Sequence, residues 1–266
     1  MFDNGQRKLK ILFLLISFLV LVVFILFFSC ASTLPRRFAT PEQKKIAARA
    51  EKKALERGRK IYFNTELGSN GRSCHSCHPA GKMTNAQSYP RYKHIMKTMA
   101  TISMTHNFAV VNESRGEAWI LGSEDANAIA LYVQFLANGK PLRMAGPNNI
   151  RDEWIERGKF LFKDTGLGTN GKSCESCHIQ GGSKSNTDGH IAPALKGVTA
   201  VYPQYSFDHH RVITLEQRIN SCITKKQNGT ELLLNDEKIV ALYCYLAWIS
   251  KDFLMSVARI DKTDLD

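Results

Sequence analysis

Acidic residues are scarce in this 266-residue chain: 24 Asp and Glu stand against 36 Lys and Arg, which gives a formal net charge of +12. Such a basic excess raises the question of a polyanionic partner. The sequence contains no nucleic-acid recognition motif, so we do not expect nucleic-acid binding. Part of the excess lies between residues 36 and 60, where the net charge is +7. Attraction to anionic lipid headgroups and a solvated helix face both account for that cluster.

Long apolar runs are also scarce, with a single exception near the N-terminus. Residues 11–28 contain only Ser17 as a polar residue, and three basic residues precede them. This is the layout of an export signal or a membrane anchor. Because Cys30 follows directly, residues 1–34 are interpreted as an uncleaved signal anchor, a lipoprotein signal or an ordinary cleaved signal. We expect the rest of the chain to lie outside the cytoplasm, anchored at the periplasmic face of the cytoplasmic membrane through the helix or a lipid.

The chain has only seven cysteines, and four of them occupy two copies of one motif. The copies, 100 residues apart, are Cys74-His75-Ser76-Cys77-His78 and Cys174-Glu175-Ser176-Cys177-His178. On a helical turn, positions i, i+3 and i+4 share a face, so two thiols can bond the haem vinyl groups while the imidazole reaches iron. A zinc site or a thiol redox pair also uses Cys-x-x-Cys, but each copy has its own histidine. We therefore predict two covalently bound haem c groups, attached at Cys74, Cys77, Cys174 and Cys177, with proximal iron ligands His78 and His178.

The sequence repeats itself around these motifs. Arg57-Gly58-Arg59-Lys60 recurs as Arg157-Gly158-Lys159, and a glycine-rich loop follows each copy. A duplicated single-haem domain is the simplest explanation. We predict an all-α fold with an N-terminal membrane-anchor helix and two tandem class I-like cytochrome c domains. The first domain is placed at residues 35–140 and the second at residues 150–258.

Helix signals mark the first and last helix of each predicted domain. Thr40 and Gln43 form a capping box for a helix that should end near Phe63. Its counterpart is expected from about Arg151 to Phe162, and the closing helices at 126–136 and 238–250. The first and last helices of each domain should cross at Gly58 and Gly158.

The sequence leaves several candidates for the distal ligand of the second haem, because no methionine lies between His178 and Cys222. The remaining possibilities are an open coordination position or one of four side chains: Cys222, His190, His209 and His210. A disulfide between Cys222 and Cys244 would compete with the ligand role in an oxidising compartment.

The first haem has a different set of candidate distal ligands. Aligning Tyr89-Pro90 with Tyr202-Pro203 sets Asn107 opposite Asn220 and Ala109 opposite Cys222, so the two haems should differ in ligation. Met104 and His106 are the leading candidates for the first iron. Three further side chains lie just upstream, namely His94, Met96 and Met99.

The segment Thr214–Cys222, with Asn228-Gly229 and Ile239–Leu242 after it, resembles dihaem c-type cytochromes related to thiosulfate dehydrogenase and the haem subunit of the Sox complex. The resemblance covers roughly residues 55–250. It implies that the cysteine of an Arg-x-x-x-Cys segment can be the distal ligand of a catalytic haem, and the matching residue is Cys222. The first domain has Ala109 at the corresponding position.

Two functions follow from these observations, with a dihaem peroxidase third. We expect a membrane-anchored dihaem cytochrome that carries electrons in a respiratory chain. A quinol-linked complex or soluble cytochrome would supply the electrons, and a terminal oxidase or reductase would receive them. The alternative is a thiosulfate dehydrogenase-like oxidoreductase with Cys222 at the active haem. Basic residues would then attract the anion: Arg211, Arg218, Lys225 and Lys226.

Overall fold

The computed structural model describes residues 40–178 and 192–258, which all belong to one compact unit. The predicted anchor segment, Cys30 and His190 lie outside the described residues. Among the described residues, no helix has both the length and the apolar character that a membrane crossing requires.

The same series of elements occurs twice along the described chain. The helices are α1 Pro41–Phe63, α2 Cys74–Cys77, α3 Ile102–Asn112, α4 Glu124–Phe135, α5 Asn148–Lys163, α6 Cys174–Cys177, α7 Leu215–Gln227 and α8 Glu237–Ile249. The strands are β1 Arg91–Lys93, β2 Thr98–Ala100, β3 Gln204–Ser206 and β4 Arg211–Ile213. The first half therefore runs from α1 to α4 and the second from α5 to α8, as a duplication predicts.

Helix α1 begins and ends where the sequence predicts. The Gln43 amide donates to Thr40 Oγ1 at 3.1 Å, and the Thr40 amide donates to Gln43 Oε1 at 3.0 Å, which completes the capping box. The helix ends at Phe63. Its counterpart α5 starts at Asn148, three residues before the predicted start.

Glycines allow the first and last helices of each half to cross closely, as predicted. A Cβ added at Gly58 would lie 2.7 Å from Tyr132 Cβ and would overlap the carbonyl of Ala128. A Cβ added at Gly158 would lie 2.8 Å from Tyr245 Cβ. Any larger residue would have to force these helices apart. The crossing therefore fixes the position of the helix that precedes each attachment turn. The attachment turns are the short helices α2 and α6, which contain the motif cysteines.

The all-α expectation is wrong in one respect, because each half also contains a two-stranded antiparallel hairpin. Arg91 pairs with Ala100 in the first hairpin, and Gln204 pairs with Ile213 in the second. Three-residue strands are too short to show an alternating apolar pattern in the sequence. Each hairpin leads directly into α3 or α7, so it determines where that helix begins.

The two halves pack against each other through buried polar contacts. The buried carboxylate of Glu51 accepts a hydrogen bond from the Tyr205 amide at 3.0 Å. The side chain of Asn127 donates to the Val212 carbonyl at 3.0 Å and to Gln217 Oε1 at 2.9 Å. Helices α1 and α4 thereby contact the hairpin and helix α7 of the second half.

The segment between the halves is also held in place. The Gly139 amide donates to the Met255 carbonyl at 2.9 Å, and the Met255 amide donates to the Lys140 carbonyl at 2.9 Å. The C-terminal segment of the described chain therefore pairs with residues 139 and 140, at the end of the first predicted domain.

Candidate functional site

Short helical turns carry the two Cys-x-x-Cys-His motifs. Ser73 caps α2 through two hydrogen bonds with Ser76. The Ser76 amide donates to Ser73 Oγ at 3.3 Å, and the Ser73 amide donates to Ser76 Oγ at 3.1 Å. Ser173 and Ser176 form the same box at α6. This capping forces one helical turn, and it sets both thiols and the following histidine in the i, i+3, i+4 arrangement. None of the four motif cysteines is paired in a disulfide, so all four are available to bond a haem. Burial raises the pKa of Cys74 to about 11 and that of Cys174 to about 12.

The motif histidines are oriented by backbone carbonyls. His78 Nδ1 lies 3.1 Å from the Lys82 carbonyl oxygen, and His178 Nδ1 lies 2.9 Å from the Pro193 carbonyl oxygen. Since a carbonyl only accepts, Nδ1 carries the proton and Nε2 keeps its lone pair. Metal-bound histidines typically show this outer hydrogen bond. Both histidines, with their adjacent thiols, therefore fit the attachment of haem c.

Cys222 lies on α7, half-buried, beside the second attachment turn. Burial is the main influence on the pKa of the Cys222 thiol and raises it. The charges of Arg218 and Lys226 lower this pKa, and Cys177 raises it. Cys222 in turn contributes to the raised pKa of Cys174. The thiol thus lies close to the cysteines of α6. The cations beside it favour the thiolate, but burial outweighs them and leaves the pKa of Cys222 raised.

The disulfide between Cys222 and Cys244 is not formed, because both residues are free thiols. Cys244 is fully buried in a separate apolar cluster with Met99 and Val240. Burial in apolar surroundings raises the pKa of its thiol, which makes it unreactive.

Arg218 lies one helical turn before Cys222, on the same face of α7. Its Nη1 donates to Asp208 Oδ2 at 3.2 Å, and its side chain is 33% exposed. Burial lowers the pKa of Arg218, but Cys222, Tyr202 and Asp208 outweigh this effect and raise it. Arg218 also contributes to the lowered pKa of His178, after burial as the main cause. The guanidinium therefore lies close to both predicted ligands of the second site.

His209 and His210 do not share the position of Cys222. His209 Nδ1 lies 3.0 Å from Ser206 Oγ, and its Nε2 lies 3.0 Å from Ser221 Oγ, so both ring nitrogens are engaged. His210 is exposed, at the turn between β3 and β4. Cys222 is thus the best-placed distal candidate among the described residues.

The predicted alignment of the two halves is confirmed by a matching pair of asparagines. Asn107 donates to the Trp119 carbonyl at 2.7 Å and accepts from the Trp119 amide at 3.0 Å. Asn220 makes the same two bonds with Leu232, at 2.6 and 3.0 Å. Ala109 therefore occupies the place of Cys222, and the first site must take its distal ligand from elsewhere.

The two leading candidates for the distal ligand of the first haem, Met104 and His106, lie in different surroundings. Met104 packs against the apolar cluster that contains Met99 and Cys244. His106 lies near the first attachment turn, close enough to His78 for their charges to interact. Its pKa is lowered to about 4, mainly by burial and further by the positive charges of His78 and Lys93. Its Nδ1 is buried and finds no hydrogen-bond partner within the described chain. An imidazole in that position suits a metal ligand better than a core residue.

The other three candidates of the first site have different surroundings. Met99 is fully buried in the same cluster as Cys244. The ring of His94 packs on that of Tyr92 with centroids 4.9 Å apart. Met96 lies in the turn between β1 and β2.

Sequence reasoning missed the polar contacts that surround Cys222. Neither the Asp208–Arg218 pair nor the contact between His209 and Ser221 was expected. No local spacing indicates the first, because it joins residues ten positions apart in the sequence. The second depends on the hairpin, which brings residues 12 positions apart together.

The sequence matches the SoxA/TsdA cytochrome c domain family over residues 57–142 and 157–255. It is 29% identical over 198 residues to the L-cysteine S-thiosulfotransferase subunit SoxA of Pseudaminobacter salicylatoxidans, covering 73% of this chain and 67% of that protein. It is 32% identical over 145 residues to the thiosulfate dehydrogenase of Allochromatium vinosum, covering 50% of this chain and about half (51%) of that enzyme. The crystal structure of SoxXA from P. pantotrophus superposes with a TM-score of 0.66 at 19% identity, over 77% of both chains, which shows a shared fold.

These relatives correct the expected role in a respiratory chain. Their names assign them to thiosulfate chemistry, which agrees with the alternative interpretation and not with a membrane-anchored electron carrier. A quinol-linked partner and a membrane association have no support among them. From the match over both halves, we conclude that the chain belongs to the SoxA/TsdA family of cytochrome c domains, which carry covalently bound haem c.

Proposed function

We propose that this protein is a dihaem cytochrome that oxidises thiosulfate, or a closely related sulfur anion, at its second site. The observation that carries this proposal is the position of Cys222. Its half-buried thiol faces the second attachment turn, with the cations of Arg218 and Lys226 beside it. A thiolate ligand flanked by positive charge suits an iron that must also attract an anion.

Two haems with different ligands follow from the same reasoning. Cys174 and Cys177 would hold the second haem covalently, and His178 and Cys222 would coordinate its iron. The first haem would be bonded to Cys74 and Cys77 and coordinated by His78 and His106. Support comes from the two histidine–carbonyl hydrogen bonds and from the buried, unpartnered Nδ1 of His106 in the described chain. Intact-mass measurement should find two haems per chain.

The chemistry requires a site for anions and an outlet for electrons. Two thiosulfate ions that join through a new sulfur–sulfur bond give tetrathionate and release two electrons, without a proton. When bound, each haem iron accepts one electron at a time. Arg218 and Lys226 would attract the dianions and reduce the repulsion between them. The planar guanidinium can also orient an oxyanion through paired N–H groups.

The electrons must then leave through a second protein. We propose a redox partner protein as the acceptor of these electrons. We also propose that the protein acts outside the cytoplasm, which is supported by the apolar segment at residues 11–28 and the covalent attachment of haem.

A second candidate function is oxidative transfer of thiosulfate to a cysteine thiol of another protein. The longer alignment favours it, since the SoxA relative covers 73% of this chain and the thiosulfate dehydrogenase 50%. In that reaction a thiol and a thiosulfate ion form a sulfur–sulfur bond, and two electrons and one proton are released.

The test is oxidation of thiosulfate by the purified holo-protein with a soluble one-electron acceptor such as ferricyanide. Tetrathionate and reduced acceptor should form in a ratio of one to two. Cys222→Ala should abolish the reaction, whereas the control Cys244→Ala, which removes a thiol from the separate core cluster, should retain it. Turnover that appears only after a thiol-containing acceptor is added would favour the transfer reaction. Full activity in Cys222→Ala would refute both thiosulfate oxidation and thiosulfate transfer at the second site.

A further inference from the structure

The turn between β3 and β4 is attached to helix α7 at two points. Asp208 Oδ2 accepts from Arg218 Nη1 at 3.2 Å, and His209 Nε2 lies 3.0 Å from Ser221 Oγ. Arg218 precedes Cys222 by one turn of α7 and Ser221 precedes it by one residue. Both attachments therefore reach the part of the helix that presents the predicted ligand.

The hydrogen bonds around His209 define its role. The Ser221 hydroxyl donates to the Gln217 carbonyl at 2.9 Å, so it can only accept from the imidazole. His209 Nε2 must therefore carry a proton, while Nδ1 accepts from the Ser206 hydroxyl at 3.0 Å. One imidazole thus bridges the end of β3 and the middle of α7.

The first half provides an internal comparison, because it has the same hairpin and helix without this network. At the positions of Asp208 and His209 it has Ile95 and Met96, and at those of Ser206, Arg218 and Ser221 it has Lys93, Thr105 and Phe108. The first hairpin pairs in the same register without any of these contacts. The network is therefore not needed to form the hairpin, and it occurs only beside Cys222.

We propose that His209 is a positioning residue for the sulfur-anion site. By fastening the hairpin turn to α7 through Ser221, it keeps Asp208 against Arg218 and so fixes the guanidinium beside Cys222. This inference rests on the proposed oxidation of a sulfur anion at the second site. It adds a residue that lies outside the set of expected haem ligands and predicts an effect on anion binding.

The test compares steady-state kinetics of thiosulfate oxidation in the holo-protein and three variants. His209→Ala should raise KM about tenfold, as expected for the loss of one positioning interaction, and change kcat less than about threefold. His209→Gln can still donate to Ser221 and should restore KM to within about threefold of wild type. Met96→Ala, at the equivalent turn of the first half, is the matched control and should leave both constants unchanged.

Low-temperature electron paramagnetic resonance of the oxidised variants separates positioning from general structural damage. The thiolate-type signal of the second haem should persist in His209→Ala while KM rises. Ser221→Ala, which removes only the hydroxyl, should raise KM in the same way. If the wild type oxidises thiosulfate and His209→Ala keeps the wild-type KM, the inference is wrong and the proposed function stands. Loss of the thiolate signal in His209→Ala would also overturn it, whereas an inactive wild type would defeat the proposed function itself.

Discussion

Replacement of Arg218 by Ala should weaken the use of thiosulfate without removing the second haem. Its side chain is 33% exposed, and one N–H group is engaged by Asp208, so the other donors remain for an anion. A hydrogen bond to a charged group contributes about 1.5–3 kcal/mol, and the exposed third of the side chain favours the lower part of that range. This corresponds to a loss of roughly tenfold to a hundredfold in kcat/KM.

Lysine at this position distinguishes charge from geometry. Arg218→Lys keeps the positive charge but lacks the planar fork, so it should lose about threefold to tenfold in kcat/KM. The matched control is Arg143→Ala, which removes an arginine paired with Asp252 at 2.9 Å and 68% exposed. Exposed pairs contribute about 1 kcal/mol or less, and this control should leave the kinetics unchanged.

The assay is acceptor reduction as a function of thiosulfate concentration at two ionic strengths. Attraction to Arg218 should weaken as salt rises in the wild type, and less so in Arg218→Ala. Equal kcat/KM values in wild type and Arg218→Ala, with both haems present, would refute the role given to the guanidinium.

Two further predictions concern the distal ligand of the first haem and the hydrogen bonds that Asn220 makes in the second half of the chain. His106→Ala should change the visible and paramagnetic signals of the first haem, whereas Met104→Leu should not; an unchanged spectrum in His106→Ala would exclude it as a ligand. Asn220→Ala removes two hydrogen bonds to Leu232 in a buried position and should lower the free energy of unfolding by about 2–4 kcal/mol in chemical denaturation. A loss below about 0.5 kcal/mol would contradict that contribution.

The repeated parts of the fold could be predicted from the sequence because strong local signals mark them. The capping box at Thr40 and the glycines at 58 and 158 gave the start of α1 and both helix crossings. The hairpins could not be predicted in this way. Their strands contain three residues each and depend on contacts with the other elements.

In the candidate site, too, local sequence patterns predict some residues and not others. The attachment cysteines and proximal histidines follow from spacing along one helical turn, and they remain predictions that the carbonyl bonds of His78 and His178 support. The distal side is built from segments distant in sequence. Only the folded chain places His106 toward the first turn and Met104 in a core cluster. Likewise, no sequence pattern joins His209 to Ser221.

The expectation of an electron carrier in a respiratory chain rested on the apolar segment at residues 11–28 and the two haem motifs. An apolar segment and a haem motif are shared by many electron carriers, so they distinguish poorly between functions. The residues around Cys222, and the relatives named for thiosulfate chemistry, distinguish them better.

The most direct test of the account is low-temperature electron paramagnetic resonance of the oxidised holo-protein and of Cys222→Ala. The account predicts two distinct low-spin signals in the wild type, one typical of imidazole–thiolate ligation and one of two imidazoles. Cys222→Ala should lose the first signal and keep the second. A wild-type spectrum without a thiolate signal, or one that Cys222→Ala leaves unchanged, would contradict the assignment of Cys222 to the active haem.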